Sequence, residues 1–166
     1  MNLRGADVIK AIKRAGIRFV VALPDRTTSE NVLKPLLADP DMRVVQVCKE
    51  DEGVSICAGL HAAGHRSLLL MQYTGLLDSV NALRGIAVGG KNPVCMMVGL
   101  LNKEPGVAPS KSRFYGVRIV EPVLDALQIE HQLLENAGDE EKVVPAVERA
   151  YERSLPVVML IGLEPK

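Results

Sequence analysis

The chain has 166 residues, with 20 Lys and Arg against 20 Asp and Glu and a formal net charge of zero. That length makes one domain able to bury about 70% of its unfolded surface, so no disulfide or metal is needed as a staple. Neutrality and a 3% aromatic share without Trp remove both the field and the stacking platforms of a general nucleic-acid binder.

Helical and strand-length patterns alternate along the whole chain. The periodicity predicts a helix over 5–15 and a strand over 17–23, then a helix over 29–37 and a strand over 44–48. A helix over 51–64 leads to a strand over 67–72, and a helix over 77–88 to a strand over 93–99. After an irregular stretch at 100–116 come a helix over 117–127, a strand over 129–134, a helix over 140–153 and a strand over 156–162. The strand segments are too continuously apolar for one-sided sheets and read as parallel strands covered by helices. The reading is one α/β domain over 1–166, a doubly wound, mainly parallel six-stranded sheet with helices on both faces and ligand sites at the carboxyl ends of the strands. The stretch 100–116, with Lys103, Lys111 and Arg113, reads equally as a binding loop or as a surface connection.

Three widely spaced cysteines, Cys48, Cys57 and Cys95, form neither a disulfide framework nor a zinc site. The first 16 residues carry five charges among their apolar positions and lack the core of an export signal. No apolar run approaches the roughly 18 residues of a membrane span, so a cytoplasmic chain bound to neither membrane nor nucleic acid is expected. An apolar share of 48% with no net charge points to an oligomer. Phosphate-loop, nucleophile-elbow and zinc-protease motifs are absent, and His61, His65 and His131 are scattered, so metal ligation is not expected.

The informative segment is Lys49-Glu50-Asp51-Glu52-Gly53, followed by small residues to Gly64. It follows the second strand directly, which places its acids at the edge of the sheet where sites form. Capping and the helix dipole account for three acids there equally well. With Asp51 as N-cap, Glu52 falls in the first turn with its carboxyl free. Gly53 then leaves room for a flat ligand or another subunit, and Ile56, Gly59 and Ala63 form a stripe for a packing partner.

Together with Ser67 to Gln72, Tyr73-Thr74-Gly75-Leu76 and Val80-Asn81-Ala82-Leu83, this segment resembles the pyrimidine-binding domain of thiamine-diphosphate enzymes. Within them it is most similar to sulfopyruvate decarboxylase alpha subunits and phosphonopyruvate decarboxylases. Phe19 to Pro24 and Glu121 to Leu127 extend the likeness over nearly the whole chain. The resemblance implies that Glu52 hydrogen-bonds the pyrimidine N1′ and favours the imino tautomer, whose nitrogen takes the thiazolium C2 proton. It implies that Glu52, Gly53, Gln72, Thr74, Gly75 and Asn81 line the cofactor. Loss of carbon dioxide is then the cofactor's chemistry.

Such enzymes hold the diphosphate and Mg²⁺ with a Gly-Asp-Gly motif that this chain lacks; Gly138-Asp139-Glu140 is not one. A beta subunit carrying that half is therefore the expected partner. Pro24-Asp25-Arg26 leads into a helix at Ser29; Arg26 there suits the anionic group of a small 2-oxo acid, and an ordinary turn with Ser29 as N-cap reads equally well. Tyr73 and Asp78 depart from the related decarboxylases, which carry Asn at both places. The competing reading is a catalytically silent scaffold or regulatory subunit with the same fold; a flavodoxin-like nucleotide binder is disfavoured because no glycine-rich loop follows the first strand.

Overall fold

The structure, a computed structural model, describes residues 2–166. All six predicted strands form, as β1 (Phe19–Ala22), β2 (Arg43–Gln46), β3 (Ser67–Gln72), β4 (Cys95–Gly99), β5 (Glu130–Leu134) and β6 (Val157–Ile161). They pair in the order β2-β1-β3-β4-β6-β5, every pair parallel. β3, β4 and β6 are buried almost throughout, whereas the edge strands β2 and β5 are mostly part-exposed, as a sheet covered on both faces requires.

Alternation along the strands splits the core in two. Val20, Ala22, Leu68, Leu70, Cys95 and Met97 face α1 (Gly5–Arg14), α2 (Lys34–Ala38) and α8 (Val143–Arg153). Val21, Leu69, Met71, Met96 and Val98 face α3 (Glu50–Ala62), α4 (Tyr73–Asp78), α6 (Tyr115–Arg118) and α7 (Val120–Ala126). The amphipathic stripe of α1, Val8, Ala11 and Ile12, is fully buried. The helix stops at Gly16, whose φ of +75° only glycine adopts without strain. β1 exits toward one face and β3 toward the other, so a crevice opens between their carboxyl ends, the position where such sheets bind ligands.

Four predicted helices are broken, the segment 140–153 among them, which begins as a 3-10 turn, Asp139–Lys142, before α8. The segment 29–37 begins as a π-helical turn, Ser29–Leu33, before α2. The segment 77–88 starts four residues earlier, at Tyr73, breaks at Ser79, and continues as α5 (Val80–Ala82) and a π-helical turn, Leu83–Val88. The segment 117–127 divides into α6 and α7 at Ile119. Pro122 explains that break, because its ring crowds the carbonyl four residues back, at Arg118, and offers it no N–H.

The stretch 100–116 is tied down along its length. Lys103 Nζ donates to Glu135 Oε2 at 2.6 Å and to the Glu104 carbonyl at 3.0 Å, while Gly106 N–H reaches Glu135 Oε1 at 3.3 Å. Glu104 in turn accepts from Ser112 Oγ at 2.6 Å and from Arg113 N–H at 2.9 Å, and these bonds hold its carboxyl below the usual carboxylate range. The Lys103 and Glu135 side chains are 0% and 10% exposed, so removing one partner strands a charge away from water. Lys103→Met should lower stability by about 3–5 kcal/mol, and Lys103→Met with Glu135→Leu should recover most of it; urea unfolding of both variants measures the difference.

Candidate functional site

The crevice between β1 and β3 is bordered by the residues after β1, the start of α3 and the β3–α4 junction. β2 ends at Gln46, and the chain turns into α3 at Glu50 with Lys49 as N-cap. Glu52 is therefore the third helical residue, and its carboxyl folds back: Oε2 accepts the N–H groups of Cys48 at 3.2 Å and Lys49 at 3.3 Å. This is the acidic half of a capping box. Asp51 accepts the Glu52 N–H at 3.0 Å and lies 3.6 Å from Lys49 Nζ.

The expectation that Asp51 is the N-cap and leaves Glu52 free is thus corrected. Moving the N-cap two residues earlier, from Asp51 to Lys49, turns Glu52 into the capping acid and leaves Glu50 without a partner. Glu50 is half-buried and makes no hydrogen bond or ion pair among the described residues. Its carboxyl lies against Gly75 in α4, where a Cβ would overlap its Cγ, Cδ and Oε1. The rule for an acid at the third helical position would have found this arrangement from sequence, had the helix start been set at residue 50.

Gly53 faces inward. A Cβ there would stand 2.5 Å from Leu69 Cδ1, so this glycine admits the sheet to α3 and leaves no opening for a ligand or subunit. Of the small-residue stripe, Ile56 packs on the core, while Gly59 and Ala63 are exposed and Gly59 has open space beside it.

Gln72 Nε2 donates to Thr74 Oγ1 at 2.8 Å, fixing the turn out of β3. The Tyr73 ring lies over Gly116 of α6, where a Cβ would meet Cε2 at 2.6 Å. Asn81 accepts from Arg84 Nη2 at 2.9 Å, and both border an open cleft of about 390 Å³ with Glu52, Ser55, Asp78 and Ile86. Apart from Gly53, which faces the sheet, the predicted cofactor residues fall into three groups: Glu52 with Asn81 on this cleft, Gln72 with Thr74 at the end of β3, and Gly75 under Glu50.

After β1, Asp25 serves the backbone. Its carboxylate accepts the N–H groups of Thr27 and Thr28 at 2.5 and 2.7 Å and the Thr28 hydroxyl at 2.6 Å. The N-cap position before the π-helical turn is Thr28 rather than Ser29, and the Ser29 hydroxyl accepts from Asp25 N–H at 3.0 Å. Pro24 and Arg26 are exposed, and Arg26 has no carboxylate partner among the described residues. Arg26 borders a smaller cleft of about 170 Å³ with Thr27, Asn102 and Glu164.

No three His, Cys, Asp or Glu side chains converge on a metal position among the described residues, and none of the described helices is long and apolar enough to cross a membrane. Burial pushes the Cys57 and Cys95 thiols up to about 11 and about 12, which keeps them protonated and unreactive at neutral pH. Cys48 is exposed. Iodoacetamide should accordingly label one thiol in the native chain and three after unfolding, as counted by mass spectrometry. A Cβ at residue 53 has only the sheet to push against, so Gly53→Ala should cost about 1–3 kcal/mol by overpacking, read from the urea midpoint.

No protein-family profile matches the chain. Among curated proteins, the chain resembles three sulfopyruvate decarboxylase alpha subunits. That of Methanothermobacter thermautotrophicus is 38% identical over 99 residues, 59% of each chain. That of Methanococcus maripaludis is 34% identical over 91 residues, 55% of this chain and 54% of the relative. In both, the match spans little more than half of the relative's length. The Methanocaldococcus jannaschii alpha subunit aligns over 164 residues, 95% of this chain and 93% of its own, at 26% identity.

Proposed function

We propose that this chain is the alpha subunit of a thiamine-diphosphate-dependent decarboxylase, acting on a small anionic 2-oxo acid such as sulfopyruvate. Resemblance to the sulfopyruvate decarboxylase alpha subunits supports the reaction and the need for a second subunit. The observation that carries the reading is Glu50, a half-buried carboxyl without an internal partner, at the carboxyl edge of a parallel sheet and against a residue that has no side chain.

These residues suit the pyrimidine end of thiamine diphosphate. A carboxyl buried on one side and unsatisfied on the other gains most from a ring nitrogen that shares its proton. Gly75 keeps the neighbouring backbone low enough for a flat ring to approach. When bound, the cofactor supplies the electron sink for loss of carbon dioxide. This chain's own part is narrower: Glu50 holds a proton at the ring nitrogen, Gln72 and Thr74 shape the adjoining wall, and Arg26 offers a free guanidinium to the substrate's anionic group. The role first assigned to Glu52 passes to Glu50 because the Glu52 carboxyl already serves two backbone N–H groups. The name alpha subunit carried by the relatives supports a beta subunit that holds the diphosphate and Mg²⁺, in a cytoplasmic hetero-oligomer.

By calorimetry, the isolated chain should bind thiamine diphosphate with Mg²⁺ weakly or not at all; tight binding without a partner overturns the divided site. In the complex with the beta subunit, Glu50→Gln should lower decarboxylation by about 10²–10⁴-fold, the worth of a positioned acid or base, with the unfolding midpoint unchanged. Glu52→Ala should instead cost about 1 kcal/mol of stability through the lost cap, while Glu52→Gln, which can still cap, should do little. Activity lost in Glu52→Gln and kept in Glu50→Gln would return the role to Glu52. Unchanged activity in both would favour a silent scaffold.

A further inference from the structure

We infer that Gly75 is a positioning residue for the Glu50 carboxyl, an inference that rests on the role proposed for Glu50. Gly75 is inside α4, at a φ outside the left-handed region, so nothing in its own backbone calls for glycine. In such a place alanine is the better helix former. Burial does not call for glycine either, because the nearest atoms to a Cβ at this position are all from one side chain, the Cγ, Cδ and Oε1 of Glu50.

Three helical glycines on this side of the sheet, Gly53, Gly75 and Gly116, each stand close to a side chain from another element and differ in what they admit. Gly53 admits Leu69 of the core, and Gly116 admits the ring of Tyr73. Of these three, Gly75 admits a carboxyl. A methyl at Gly53 would press on packed apolar groups that have nowhere to go. At Gly75 it would press on the mobile end of a side chain with no hydrogen bond holding it, which can swing away. The fold should therefore accept Gly75→Ala, and the carboxyl should move.

A displaced carboxyl is a defect in geometry rather than in chemistry, and misplacement of about 1 Å at a reacting centre can cost about 10² in rate. In the complete complex, Gly75→Ala should lower decarboxylation by about that factor with the unfolding midpoint unchanged or raised. The decisive comparison is the double variant. If Gly75 acts through Glu50, adding Gly75→Ala to Glu50→Gln should cause no further loss, since the group it positions is already disabled.

The carboxyl can also be followed without a partner or cofactor, by carbon NMR of the isolated chain labelled at the glutamate carboxyl carbons. Gly75→Ala should shift the resonance assigned to Glu50 through its loss in Glu50→Gln, and leave that of Glu52 in place. An unmoved Glu50 resonance overturns the inference whatever the protein does. A full additional loss in the double variant overturns it as well, since Gly75 would then act independently of Glu50. If the resonance moves but Gly75→Ala keeps full activity, positioning is refuted. In that case the Glu50→Gln result decides separately whether the proposed function also fails.

Discussion

The first turn of a helix leaves four N–H groups that its own backbone does not satisfy, and at α3 the way they are met decides which acid is available. Glu52, third in the helix, reaches back to the N–H groups of Cys48 and Lys49, and Asp51 takes the N–H of Glu52. Two of three neighbouring carboxylates are thereby committed to local structure. Glu50 points across to α4, against Gly75. Three acids that look interchangeable in the sequence occupy different environments because the helix starts at residue 50.

That start depends on the sheet. Gly53 brings α3 against Leu69 and Val21, and the parallel pairing of β2, β1 and β3 sets the carboxyl ends side by side. The acidic turn, the Asp25 turn and the β3–α4 junction are consequently at one edge. The opposite end of the sheet edge is held by the buried Lys103–Glu135 pair. Its interactions with Glu104 and Gly106 make the stretch 100–116 a fixed wall where a mobile loop was one of two readings. Buried pairs of this kind contribute little net stability but penalise any arrangement that separates them.

Asp25 shows how the same residue type serves differently at two turns. Its carboxylate accepts three hydrogen bonds from Thr27 and Thr28, so its charge is spent on the loop after β1. Arg26, next to it, is exposed and without a carboxylate partner among the described residues.

The sequence by itself determined the six strands, their parallel character and the edge at which a site forms, because continuous apolar runs separated by helices have only one good way of being buried. Of the candidate site it determined the residue cluster at 50–53 and the turn at 72–75, through their positions at strand ends. It did not determine which acid is free, where Gly53 points or why Gly75 lacks a side chain. Those depend on contacts between residues far apart in sequence, Gly53 with Leu69 and Glu50 with Gly75, and on an N-cap at Lys49, two residues before Asp51. Each residue of shift moves a helical position round by about 100°, so two residues exchange a capping role for a free one, and only tertiary packing fixes it.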